Sequence, residues 1–272
     1  MPELPEVETI ANGLNKRVAG ATIESVWVGE RKQPLKSSAR AIATMLEGAR
    51  IKHVRRVGKH IVADLEEENG EARGQWIIHL GMTGSTLVQD PATDIPKHTH
   101  LIAKISSGKE IRFVDPRMFG KLAVQSKAKV FAAPGLEPLQ VSLEEFVKLF
   151  RGRNTPIKSA LLNQKLLSGV GNIYADESLF RAGIRPRRKA KTLTRADLTR
   201  LREKLGEVLR EAVEAGGSSV NDYVDSDGNE GFFQLRHNVY QRTGEPCLVC
   251  RTPIKRVVIG GRSSHFCSKC QK

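Results

Sequence analysis

AAPGLEPL, Ala132 to Leu139, divides this sequence into two halves of different pattern. Two prolines and a glycine within eight residues interrupt helix and strand alike, so the stretch reads as a domain junction. On its N-terminal side, residues 1–131 carry short runs rich in β-branched residues: Ala21–Val28, His60–Leu65, Gln75–Leu80, Thr99–Ile105 and Glu110–Val114. Gly, Asp, Asn and Ser separate them. Ahead of these, Val7, Ile10, Leu14 and Val18 recur at helical spacing between Pro5 and Gly20. On the C-terminal side the pattern turns helical. Ser142 with Glu145 forms a capping box, and Thr155-Pro156 is a helix start. Leu198, Leu201, Leu205, Val208, Leu209 and Val213 make a long amphipathic stripe, closed by Gly216-Gly217. The stripe is core packing.

The expectation is an α+β multidomain chain. Residues 1–131 form a β-rich domain, 132–139 the linker, 140–236 a helical domain and 237–272 a metal ribbon. Within the helical domain, residues 217–234 are polar and acidic, with Asp222, Asp225, Asp227 and Glu230. Such a loop does not lie against phosphates and reads as a lid over something else.

All four cysteines lie in the last 26 residues, as Cys247-x2-Cys250-x16-Cys267-x2-Cys270. Two close pairs of thiolates surround one tetrahedral Zn²⁺, and an all-cysteine set marks a closed structural site. The alternative is two disulfides, which suits a secreted chain. The opening residues, MPELPEVETI, show three glutamates and no basic residue, unlike a signal peptide. No run has the apolar length of a membrane span. The setting expected is cytoplasmic.

Charge points to the partner. Lys and Arg number 44 against 30 Asp and Glu in 272 residues, a formal +14. Residues 181–204 hold ten Lys/Arg against Asp197 and Glu203, and residues 237–272 hold seven against Glu245. That excess favours a polyanion, although a basic protein with no nucleic acid partner has the same composition.

The chemistry starts at Met1. A small residue, Pro2, follows it, so removal of the initiator methionine exposes a secondary amine. An α-amino group titrates near ~7.7–8.0, against ~10.4 for lysine, and is far more nucleophilic at neutral pH. Such an amine attacks the anomeric carbon of a nucleoside and forms a cationic imine. The imine acidifies the neighbouring sugar C–H, whose loss expels the 3′ phosphate. Glu3 is placed to donate a proton to the leaving base or sugar oxygen. Proline and glutamate near a start codon are common, and alone they show nothing.

MPELPEVET (1–9), HLGMTGS (79–85), DPRMFG (115–120), GVGNIYADE (169–177) and the cysteine ribbon occur here in one order. The set resembles the formamidopyrimidine-DNA glycosylase family from end to end. The resemblance implies a β-sandwich with flanking helices, a helix-two-turn-helix domain, a zinc ribbon and duplex DNA held in the cleft between domains. It implies a bacterial, nucleoid-associated monomer that flips oxidised purines out of DNA, excises them opposite cytosine and cleaves the strand by β,δ-elimination. By the same resemblance Pro2 is the nucleophile, Glu3 the acid, and Glu6 a further carboxylate at the substrate. Lys59, in VGKH, is the lysine of phosphate contact and proton transfer. His60 after it departs from the family pattern without touching that role.

Met82, Arg117 and Phe119 match the set that fills the void left by base flipping. Phe119 suits a wedge between bases, and Arg117 offers only donors, which fit the O2 and N3 acceptors of cytosine. His98, Arg153 and Asn172 align with DNA contacts, Asn172 at a helix start suited to phosphate. Arg262, at the turn of the ribbon, matches the arginine that grips lesion phosphates and is linked to δ-elimination. The acidic loop matches the lesion-capping loop.

Two other readings compete. An enzyme of the endonuclease VIII kind, acting on oxidised pyrimidines, usually opens PEGPE-like and lacks the full void-filling set; here Leu4 follows Glu3 and all three residues are present. A non-catalytic zinc-ribbon protein explains the charge and cysteines, but not Pro2, Glu3 and Lys59 together.

Overall fold

Helix α1, Leu4–Val18, begins where Glu3 caps it and Pro5 sits in its first turn, and it buries Val7, Ile10, Ala11, Leu14 and Val18 along one face. In this computed structural model, residues 1–219 and 224–272 are described. After α1 come β1 (Ile23–Val28), α2 (Ala39–Leu46), β2 (Arg50–Val57), β3 (His60–Glu66), β4 (Ala72–His79), β5 (Ser85–Gln89), β6 (Thr99–Ile105), β7 (Glu110–Val114) and β8 (Lys121–Ser126). They build two four-stranded sheets, ordered β1-β6-β7-β5 and β2-β3-β4-β8. Each pairing of neighbours is antiparallel.

The sheets share one core. Ile61, Ala63, Leu65, Trp76, Ile78 and Leu122 of one sheet cluster with Ile23, Leu101, Ala103, Ile105, Ile111 and Phe113 of the other, and with the apolar stripe of α1 and Ile42 and Leu46 of α2. This is the expected β-sandwich with flanking helices. The alternation of Ile61, Ala63 and Leu65 points every second residue of β3 inward.

The chain divides into two compact units, Met1–Ala132 with Ala215–Phe232, and Ala133–Glu214 with Phe233–Lys272. The acidic segment read along the chain with the helical domain therefore packs with the sandwich. Gly13 in α1 explains part of this, since a Cβ there would collide with Ser226 Oγ. Arg17 of α1 donates to the carbonyls of Ser226 (3.2 Å) and Val88 (2.8 Å) and pairs with Asp227. Asp222 of this loop lies outside the described residues.

The second unit holds α3 (Leu143–Phe150), α4 (Ile157–Leu161), α5 (Asn172–Arg181), α6 (Arg195–Glu214) and the hairpin β9 (Lys255–Ile259) with β10 (Arg262–Phe266). The expected capping box is present: Ser142 N–H donates to Glu145 Oε2 at 3.0 Å and Glu145 N–H to Ser142 Oγ at 3.3 Å. The leucine stripe of α6 buries Leu198, Leu201, Leu205, Val208 and Leu209. Gly216 and Gly217 beyond it adopt φ of 74° and 84°.

AAPGLEPL is packed against the segment joining α4 and α5. Leu136 N–H donates to Leu166 O at 3.0 Å, and Ser168 N–H donates to Leu136 O at 2.9 Å. Gly135 is obligatory here, because a Cβ would stand 2.5 Å from Gln164 O. Gln164 in turn folds that segment by donating to the carbonyls of Leu162 and Val170. No helix among the described residues is long and apolar enough to cross a membrane.

Candidate active site and DNA-binding residues

Pro2, Glu3 and Glu6 are all buried at the start of α1, whereas Met1 is 47% exposed. Glu3 and Glu6 form a reciprocal capping box, in which Glu3 N–H donates to Glu6 Oε2 at 2.8 Å. The other oxygen, Glu6 Oε1, accepts Ser218 N–H at 2.8 Å. One carboxylate thus holds both the residue after Pro2 and the foot of the acidic loop.

Lys59 occupies the two-residue turn between β2 and β3, after Gly58 at φ 60°. Arg56, in the same hairpin, donates to Gly58 O at 3.0 Å and to Glu8 Oε2 of α1 at 2.5 Å. The Lys59 turn and the Pro2 corner are therefore braced on one helix. Behind Lys59, His60 packs against His79 and Phe131, each with ring centroids 4.8 Å apart.

His79 is pushed down to about 4, first by burial and then by the positive charge of His60, Lys59 and Lys121. Burial also lowers His60, against an opposing backbone hydrogen bond at Val57. The sign follows from linkage: the unfolded chain binds a proton near pH ~6.5 that folded His79 refuses. The stability tied to neutral His79 is complete above that pH and is lost as pH falls from 6.5 toward 4, by up to about 3 kcal/mol. Urea unfolding at successive pH values will show this slope. His79→Asn, whose Oδ1 takes the place of the imidazole Nδ1 that accepts Gly81 N–H, will flatten it; an unchanged slope would discard the assignment.

Met82 and Phe119 are 44% and 50% exposed, and the Arg117 guanidinium lies 5.0 Å over the Phe119 ring. Fully buried Asp115 organises the loop: its Oδ1 accepts from Thr83 Oγ1 at 2.6 Å and from Arg117 N–H at 3.3 Å, and its Oδ2 from Gly120 N–H at 2.7 Å. Gly81 lets the two loops touch, since a Cβ on it would stand 2.5 Å from Gly120 N. HLGMTGS and DPRMFG thereby bring Met82, Arg117 and Phe119 onto adjoining loops. His98 is exposed with φ 67°, and its carbonyl accepts Asp115 N–H at 3.0 Å.

In the second unit, Asn172 opens α5 behind Gly171, and its Oδ1 has no partner among the described residues. Arg153 is exposed and donates to Leu149 O. Arg262 is exposed at the start of β10, after the Gly260-Gly261 turn with φ of 54° and 75°.

Besides the cysteine ribbon, a buried ion pair braces the hairpin that carries Arg262. Lys158 and Asp176 are both fully buried, with Nζ to Oδ1 at 2.7 Å, and Lys158 Nζ also donates to Ser263 O at 2.6 Å. Asp176 Oδ2 accepts His265 N–H at 2.9 Å and lies 3.0 Å from His265 Nδ1. Beside it, buried Glu177 accepts the N–H groups of Asn238, Val239 and Tyr240, each at 2.9 Å. The acids sit inside GVGNIYADE and belong to a run of eight consecutive buried residues of α5, Ile173–Phe180. No local sequence pattern marks Lys158, Asp176, Glu177 or Asp115 as buried partners.

The sulfurs of Cys247, Cys250, Cys267 and Cys270 lie within 4.8 Å of one another, and none is in a disulfide. Tetrahedral coordination with Zn–S near ~2.3 Å sets sulfurs roughly 3.8 Å apart, so the set fits one structural zinc. Gln271 fixes the ribbon's end, accepting Cys267 N–H and donating to Ile184 O, both at 2.8 Å.

The buried Pro-Glu start, the exposed Met82, Arg117 and Phe119 on adjoining loops and the cysteine ribbon bearing Arg262 carry the motifs that suggest a DNA-repair family. Comparison with known proteins makes the assignment specific. Residues 1–122 match the formamidopyrimidine-DNA glycosylase N-terminal domain, 134–224 the formamidopyrimidine-DNA glycosylase H2TH domain, and 244–272 the zinc finger found in FPG and IleRS. The chain is 46% identical over 277 residues to a formamidopyrimidine-DNA glycosylase of Solibacter usitatus, with both covered completely. Its fold is similar to MutM (FPG) of Thermus thermophilus, at TM-score 0.86 and 39% identity over 99% of this chain and 98% of that one. It is also similar to Lactococcus lactis Fpg in complex with DNA containing N7-benzyl-Fapy-dG, at TM-score 0.90 and 31% identity with both chains fully covered. The chain belongs to the formamidopyrimidine-DNA glycosylase family.

Proposed function

We propose that this chain, as a monomer on duplex DNA in the bacterial nucleoid, excises oxidised purines such as 8-oxoguanine and formamidopyrimidines opposite cytosine and then cleaves the strand. With Met1 removed, the Pro2 nitrogen bonds to the sugar C1′ as the bond to the base breaks. Glu3 supplies a proton to the leaving base or the ring oxygen; loss of the Pro2 N–H proton and opening of the C1′–O4′ bond, with a proton to O4′, then leave an imine cation between Pro2 and C1′. Loss of a C2′ proton then expels the 3′ phosphate, and the 5′ phosphate follows with Arg262 on the lesion phosphates. Lys59, His98, Arg153 and Asn172 hold the backbone. Met82, Arg117 and Phe119 fill the vacated stack, with Arg117 donating to cytosine.

The observation that carries this reading is the double hold of Glu6 on Glu3 and Ser218, which fixes a buried Pro-Glu corner under the foot of the acidic loop. The test is borohydride reduction during reaction with an 8-oxoguanine:cytosine duplex. A covalent protein–DNA adduct on the N-terminal peptide is expected, and its absence would mean a passive binder. The same assay with a thymine-glycol duplex orders the substrates; faster removal of thymine glycol would reverse the choice of purines.

A further inference from the structure

The chain has two tryptophans. Trp76 lies in the sandwich core at 1% exposure, whereas Trp27 stands 52% exposed on β1, an edge strand of its sheet. Its indole reaches back over the strand end, and a Cβ on Gly29 would meet Trp27 Cη2 at 3.3 Å. Trp27 and the segment Val28–Arg31 line one side of a cavity of about 480 Å³, within the ~300–1,000 Å³ range of small-ligand clefts. His98, Thr99, His100, Pro116 and Met118 complete the lining.

Two of these residues, His98 and Met118, hold left-handed backbone at φ 67° and 57°. Such strain persists where surrounding contacts enforce it, and it concentrates at ligand sites. Here Asp115 enforces it: its N–H donates to His98 O at 3.0 Å, and its carbonyl accepts Met118 N–H at 3.3 Å. Met118 lines the cavity while its neighbours Arg117 and Phe119 are exposed outside it. The cavity and the wedge are therefore built on one loop. The adjoining stretch GERKQPLK, Gly29–Lys36, carries Arg31, Lys32 and Lys36 against Glu30, a sign that suits a phosphate.

We propose that this cavity is a nucleotide subsite, in which a base of the bound DNA stacks on Trp27 while Arg31 and His98 meet its phosphate. The inference rests on the reading above that the Arg117–Phe119 loop enters the duplex. A wedge loosens stacking beside it, and a loosened base needs a flat apolar partner.

The test uses the full chain and a duplex carrying a tetrahydrofuran abasic analogue opposite cytosine, at several salt concentrations. Trp27→Ala is expected to weaken binding by about ten-fold with an unchanged log–log salt slope, since stacking neutralises no phosphate. Trp27→Phe keeps most of the affinity. Arg31→Ala reduces the slope by about 0.9, the value for one phosphate. DNA quenches the indole emission of the wild type, and the quench disappears in Trp27→Phe, which retains Trp76. Full affinity in Trp27→Ala, or indole emission indifferent to DNA, would overturn the subsite. If Trp27→Ala melts without cooperativity, the quench and the Trp27→Phe affinity decide. Failure of the functional reading is distinct: the wild type would then excise no oxidised base, whatever Trp27 does.

Discussion

Protein that retains Met1 will form no borohydride-trapped adduct and will release 8-oxoguanine slower by on the order of 10³-fold or more, since its nucleophile is gone. With Met1 attached, the Pro2 nitrogen is a tertiary amide. Its lone pair is delocalised into the carbonyl, it has no proton to lose and it cannot become an imine. Freed, it is an amine of the class that titrates near ~7.7–8.0, so roughly a tenth of it or more is unprotonated at neutral pH. Duplex affinity at fixed salt should change little, because the proposed phosphate contacts lie on other segments. The measurement is single-turnover excision by protein whose N-terminus has been read by mass spectrometry. Undiminished trapping by Met1-bearing protein would remove Pro2 from the mechanism.

Lys158→Ala will destabilise the second unit by about 3–5 kcal/mol, the loss expected when one partner of a buried ion pair is deleted. Lys158 and Asp176 are both wholly inaccessible, so the Asp176 carboxylate would keep only its bonds to His265. The backbone of Ser263 would lose its Lys158 donor as well, and with it the register of the hairpin that displays Arg262. Strand cleavage should therefore fall more than base release. Replacing both partners by apolar residues, as in Lys158→Met with Asp176→Leu, should recover much of the stability, because no buried charge is then left alone. Denaturant unfolding of the full chain reads both outcomes. A loss under about 1 kcal/mol in Lys158→Ala, the scale of an exposed pair, would show that this ion pair does not carry the hairpin.

The strands at Thr99–Ile105 and Glu110–Val114 were legible to the residue because their inward positions are apolar without interruption. Strand β2 is not legible in the same way. RIKHVRRV, Arg50–Val57, shows mostly basic residues, and a register shift between Ile51 and His53 breaks its alternation. The cysteine spacing announced its metal, since coordination geometry fixes ligand distances along the chain. Met82, Arg117 and Phe119 stand out only by resemblance, and Asp115, which organises their loops, only in the structure. A buried charge has no sequence signature of its own: Lys158, Asp176 and Glu177 read as ordinary polar residues until their partners, which lie far along the chain, are seen. The acidic loop was recognised by composition. Its attachment was not, because Glu6 and Arg17 reach it across more than 200 residues of sequence.

The packing of AAPGLEPL bears on how this protein can be altered. A proline- and glycine-rich junction invites insertion of a reporter or a spliced module, yet Gly135 and Leu136 are bonded into a neighbouring segment and admit no added length. The tight bend at Asn69-Gly70, where a Cβ on the glycine would meet nothing within 4 Å, is the better place to graft foreign sequence.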